Sequence, residues 1–172
     1  MLDIQLAKPV MENEEGMNHL WVQFPLADFM KTELAEVSIQ LPDGLYRSPN
    51  LNGYKENMSK LILVNLERDK DVLIEIYTQS AINIGEAAIT VGLRYTNCLN
   101  NIKEIHHSIP IHFVHEDESE HLAVNDQVIG RLKELLSPIP QDKVDFLSVQ
   151  SKIMEIRHNE YSYLEKKYRV DC

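Results

Sequence analysis

A chain of 172 residues, 44% of them hydrophobic, has material for one domain with a real core, or for a sandwich of about 100 residues with an appendage. Its net charge of −10 argues against a nucleic-acid backbone or an anionic membrane as the main partner, since both select for clustered Lys and Arg. No stretch approaches the roughly 20 apolar residues of a membrane span, and MLDIQLAKPVMENEEG lacks a basic start followed by an apolar block, so the expectation is a cytoplasmic protein without membrane insertion.

Leu2, Ile4 and Leu6 alternate with Asp3 and Gln5, the signature of a first strand, and MENEEGMN then reads as a turn. His19 to Phe24 gives a second strand containing the single tryptophan, Trp21. PLADFMKTEL, residues 25 to 34, suits either a short crossover helix or an ordered loop. Val37, Ile39 and Leu41 make a third strand, closed by the turn residues Pro42-Asp43-Gly44, and Asn52-Gly53 is a second turn pair.

The densest β pattern runs from Met58 to Thr96. Leu61 to Leu66, Val72 to Ile76 and Ile89 to Tyr95 are period-2 runs, separated by polar breaks too short for parallel crossovers. An antiparallel meander follows from that. Lys103 to Val114 closes the β region, and Pro110 inside it places that strand at an edge or at a bulge. About seven strands by residue 115 is the usual count for an immunoglobulin-like sandwich, here without the cysteine pair and central tryptophan of antibody domains. Four residues in this region, Ile74, Ile76, Val91 and Leu93, are expected in the core.

From His115 the composition changes, and HEDESEH reads as an acidic linker. Asn125 or Asp126 can cap a helix with Val128, Leu132, Leu135 and Leu136 on one stripe, ended by Ser137 to Pro140. Asp142 caps a second, longer helix of about 26 residues, which would be near 39 Å long. The expected architecture is therefore mainly β with C-terminal α: an antiparallel immunoglobulin-like sandwich over residues 1–115 and a helical hairpin over 121–170.

Leu41-Pro42-Asp43-Gly44, Asn52-Gly53-Tyr54, Gly85-Glu86 and Leu93-Arg94-Tyr95 punctuate these strands in a recognisable order. That order resembles the β-sandwich and first helix that follow the von Willebrand factor A domain in many bacterial proteins, over roughly residues 36 to 136. The resemblance implies an accessory sandwich without the adhesive metal domain, because the Asp-x-Ser-x-Ser run of that domain's metal site does not occur here. No catalytic or ligand residue is carried over by it.

Five histidines, His106, His107, His112, His115 and His121, are interleaved with Glu116, Asp117, Glu118 and Glu120. Imidazole and carboxylate together suit zinc, nickel or copper, which makes a metal-responsive protein using His106, His112, His115 and His121 the alternative function. In an unbroken strand, however, His106 and His112 lie about 20 Å apart, and His107 and His115 about 26 Å. Spacing that wide favours a solvated polar face and no bound metal. There is no Gly-x-Ser-x-Gly elbow, no Gly-rich phosphate loop, and no activating neighbour for Cys98, while Cys172 is the other lone thiol. Paired acids such as Asp69 and Asp71 sit in expected turns. The chain reads as non-catalytic and cofactor-free, a scaffold or protein–protein interaction module. Its contact is expected on the C-terminal helix at Tyr161, Tyr163, Leu164 and Tyr168, with a protein partner or a second copy.

Overall fold

The computed structural model describes residues 2–24, 34–96, 100–119 and 122–137. Nine strands are found there: β1 (Asp3–Leu6), β2 (Val10–Glu12), β3 (Met17–Gln23), β4 (Ala35–Gln40), β5 (Leu45–Arg47), β6 (Ile62–Val64), β7 (Asp71–Thr78), β8 (Gly85–Thr96) and β9 (Ile102–Val114). Two helices follow, α1 (Glu116–Ser119) and α2 (Asp126–Leu136). The strands form two sheets, ordered β1-β3-β7-β5 and β2-β9-β8-β4-β6. Their neighbour order corresponds to the ABED and GFC sheets of an immunoglobulin sandwich. One swap departs from it. The strand beside β7 precedes, in sequence, the strand beside β4, so the chain changes sheets at each step from β4 to β8. The antiparallel meander expected over residues 58–96 is corrected: β6, β7 and β8 each pair with other strands, not with one another.

Alternation explains the layers. Val72, Ile74 and Ile76 of the first sheet, and Ile89, Val91 and Leu93 of the second, are fully buried in one shared core with Leu20, Val22, Val37 and Ile111. Leu73 points the other way, to the outer face of the first sheet, where it is also fully buried. The four expected core residues are all in place.

All ladders are antiparallel except one. β2 runs parallel to β9, pairing Val10 with His112 and Glu12 with Val114. An all-antiparallel sandwich is thus corrected at this edge, and the segment read as a turn holds a strand. The reason lies in Asn18, which is buried. Its carboxamide accepts from the Lys8 N–H at 2.9 Å and donates to the Lys8 carbonyl at 3.0 Å. These bonds satisfy the backbone where it leaves β3 beyond Ala7 and crosses, through Pro9, to the second sheet.

The turn pairs behave as their residues require, with Gly44 at φ 85 and Gly53 at φ 78. The loop between β5 and β6 is pinned by Arg47, whose guanidinium meets Glu56 at 2.8 Å and the Lys60 carbonyl at 2.6 Å. Burial pushes the Glu56 carboxyl up, but hydrogen bonds from Arg47 and Asn50 outweigh it and hold the group below its ordinary value of 4.5. A depressed folded pKa contributes stability above the unfolded value and loses it as pH falls through the folded one. Arg47→Met strands a largely buried carboxylate and is expected to cost about 3 kcal/mol at neutral pH. Urea denaturation at pH 7 and at pH 3 measures this: the gap between native and variant narrows in acid, because Glu56 is then protonated.

A candidate interaction surface on the second sheet

One outer face of the sandwich is closed by α2. Asn125 caps the helix, accepting from the Gln127 and Val128 N–H groups, while its amide donates to the Gln5 side chain at 2.9 Å. The helix stripe Val128, Leu132 and Leu135 packs with Ala7, Leu73 and Trp21. That stripe was expected to meet the second helix of a hairpin; it lies on the first sheet. The longer helix expected from the sequence, with Tyr161, Tyr163, Leu164 and Tyr168, falls outside the described residues.

A buried carboxylate fixes the docking. Asp71, only 5% exposed, accepts from Arg131 Nε at 2.7 Å and Nη2 at 3.0 Å, from Trp21 Nε1 at 2.9 Å and from Asn52 Nδ2 at 3.0 Å. Each oxygen takes two donors, and the Arg131 fork is bidentate. Hydrogen bonding to Asp71 raises the Arg131 pKa above its ordinary value. Sequence spacing assigned Asp71 to a solvated turn; it is instead the first residue of β7, and the one legible sign was its place at the polar-to-apolar boundary.

Among the described residues, no helix covers the outer face of the second sheet. The outward residues of β8 and β9 form a polar ladder: Glu86 beside His112, Ala88 beside Pro110, Thr90 beside Ser108, Gly92 beside His106 and Arg94 beside Glu104. Thr90 and Ser108 hydroxyls lie 2.7 Å apart, His112 meets Glu86 at 3.5 Å, and His106 meets Glu104 of its own strand at 3.2 Å. Gly92 sits close beneath its neighbours: a Cβ there would lie 2.4 Å from the Ser38 hydroxyl and 3.0 Å from the His106 ring, so those side chains would have to shift.

β9 also has an open edge. The Asn13 N–H donates to the Val114 carbonyl at 2.9 Å, so Val114 directs its backbone groups away from β8. The β8–β9 register runs uninterrupted from Gly85–Phe113 to Thr96–Ile102. Backbone direction alternates along a strand, so Ile102, Glu104, His106 and Ser108 aim their N–H and C=O groups at the edge too. Pro110 shares that phase: its missing N–H would have pointed outward. It marks an edge without a bulge. Beyond the three residues taken by β2, no strand among the described residues pairs with this side of β9.

The histidine cluster is dispersed accordingly. His106 and His112 lie on the outer face beside different carboxylates, and His107 is on the opposite face. His115 follows β9 in an exposed hollow with Glu12, Glu14, Glu116 and Asp117, and His121 lies outside the described residues. The acidic linker includes one helical turn, α1, whose Ser119 donates to Glu12 at 2.7 Å. Among the described residues, no three His, Cys, Asp or Glu side chains come together to hold an ion. Cys98 and Cys172 lie outside them. Among the described residues, no helix is long and apolar enough to cross a membrane.

No protein-family model and no curated protein matches the chain. The resemblance to the sandwich that follows a von Willebrand factor A domain therefore gains no support. Among solved structures the chain is similar to BcpA, the major pilin subunit of Bacillus cereus, with 13% identity and a TM-score of 0.48 over 66% of this chain and 40% of that one. It is similar to the full-length major pilin SpaD from Corynebacterium diphtheriae, with 12% identity and a TM-score of 0.46 over 64% and 34%. The E. coli chaperone DraB gives 9% identity and a TM-score of 0.39 over 67% and 56%. The chain spans less than half the length of these pilins.

Removing Arg131 tests how the first sheet is closed. Arg131→Met leaves Asp71 buried and unpaired, which is expected to cost about 3 kcal/mol and to loosen α2. Trp21 is the only tryptophan. Its emission should shift to the red in the variant, and hydrogen exchange should quicken in α2 before it does in β8.

Proposed function

We propose that this chain is a non-catalytic interaction module whose docking element is the open edge of the second sheet. The observation that carries the reading is an asymmetry between the two faces. α2 covers the first sheet through the buried contact of Val128 with Leu73 and Ala7 and through an ion pair to the buried Asp71 carboxylate, whereas outward residues of β8 and β9, including Glu104, His106, Ser108 and Pro110, stay exposed. Beside them runs a row of backbone donors and acceptors with no strand partner among the described residues. Such a row is a template for an added strand, in which main-chain bonds supply affinity and alternate side chains supply selectivity. Uncommitted edges are otherwise shortened, covered or charged. Here Lys103, Glu104 and Pro110 limit which strand can add. They do not close the edge.

Site-specific photo-crosslinking in cells tests this without knowledge of the partner. A benzophenone side chain at Ser108 or Glu104 is expected to give a discrete protein adduct. The same group at Glu134, on α2, should give little. Absence of any adduct from both edge positions would remove the reading, as would equal labelling at Glu134.

A further inference from the structure

The edge of β9 carries more than an invitation to pair, because its chemistry selects the strand that fits. We infer that its occupant is the same edge of a second copy of this chain, added antiparallel about a two-fold axis through Ile105. This inference rests on the docking role of the edge proposed above, and it names the partner.

Backbone phase comes first. Ile102, Glu104, His106 and Ser108 face the edge, while Lys103, Ile105, His107 and Ile109 face β8. In an antiparallel pair, residues directly opposite each other must both face the partner or both face away. Two copies of β9 can therefore meet only in registers that set even-numbered residues against even-numbered ones, and a two-fold axis must then pass through a residue.

Charge and proline choose among these registers. With Glu104 on the axis, two Glu104 carboxylates oppose each other, which is unfavourable. With His106 on the axis, His106 opposes itself and Ile102 falls opposite Pro110, where no N–H exists to bond. With Ile105 on the axis, Glu104 of each copy lies opposite His106 of the other, and Ile102 lies opposite Ser108. Each such pair exchanges both of its N–H···O bonds. Shifts that place Lys103 or His107 on the axis keep the phase but shorten the paired segment.

Side chains agree with this register on both faces. The existing Glu104–His106 contact at 3.2 Å becomes half of a square in which carboxylate and imidazole alternate. Ile102, 62% exposed, comes beside Ser108 and diagonal to Pro110 of the second copy. On the inner face the two Ile105 side chains meet on the axis. The paired segment ends at Ser108, short of His112, where β2 begins to occupy the edge. The result is an isologous contact that closes on itself and joins two five-stranded sheets into one.

Sedimentation of the full chain and two variants tests the pairing. The native chain should dimerise at micromolar concentration. His106→Glu puts like charges opposite each other twice and should weaken the dimer about tenfold. The exchange Glu104→Lys with His106→Glu should restore it. Both substitutions lie at exposed positions and leave the core alone. Register is read by cross-linking after Cys98 and Cys172 are changed to Ser. Ile105→Cys should form a disulfide-linked dimer by itself. Lys103→Cys and His107→Cys should link to each other when mixed, and neither should link alone.

A native chain that stays monomeric at high micromolar concentration overturns the inference, as does a dimer insensitive to His106→Glu. Should that monomer still give an edge adduct with another protein in cells, only the self-pairing is lost and the docking role stands. With no adduct of any kind, both fall.

Discussion

A carboxylate placed beneath a helix holds this molecule's asymmetry. Asp71 is nearly sealed from solvent, and an isolated charge there would be costly. It is tolerated because donors from three separate segments converge on it: Trp21 from β3, Asn52 from the loop after β5, and Arg131 from α2. The Asn52 side chain also accepts from the Leu73 N–H at 2.7 Å, so the loop is stitched to β7 at Asp71 and again at Leu73. None of these segments can leave without stranding the charge. Burial of Leu73 and Val128 supplies the non-directional attraction, and Asp71 supplies the geometry. Among the described residues, no buried side-chain polar atom is left without a partner.

Among the described residues, the second sheet has no such device on its outer face. Its ladder of Thr, Ser, His and Glu side chains is met by neighbours on the same sheet, Thr90 by Ser108, Glu86 by His112 and Glu104 by His106. The contrast between the faces follows from residue choice at the same strand phase. Leu73 and Trp21 stand outward on the first sheet, whereas Thr90, Gly92 and His106 stand outward on the second.

Much of this was written in the period of the sequence. Alternation at Val72, Ile74, Ile76 and at Ile89, Val91, Leu93 identified the strands and their inward-facing residues but not the sheets they join, because a period of two sorts side chains between faces and says nothing of which strands pair. The cap at Asn125 and the stripe from Val128 were legible for the same kind of reason. β2 and β5 were not, since three residues are too few to show a period. The edge position of Pro110 could be read from its missing N–H, but its phase needed the bond between Asn13 and Val114. Asp71 was misread because its partner lies 60 residues away, and an acid next to a turn has the same local pattern whether it is solvated or clamped. Long-range polar pairs leave no periodic trace. The interface expected at Tyr161, Tyr163, Leu164 and Tyr168 falls on residues the structure does not describe.

The sheet switch at Asn18 has a mechanical side. Because β2 and β9 run parallel, tension drawing β2 by its first residue and β9 by its last pulls on opposite ends of the ladder. Hydrogen bonds arranged this way lie across the load and must yield together. In an antiparallel pair of terminal strands the same pull would open them one at a time, like a zip. β1, paired antiparallel to β3 just upstream, is of the zip kind when drawn from Asp3 against the body of its sheet. A force entering there would peel the first strand away and come to rest at the kink, where Asn18 holds Lys8 by two hydrogen bonds and the short shear lock begins.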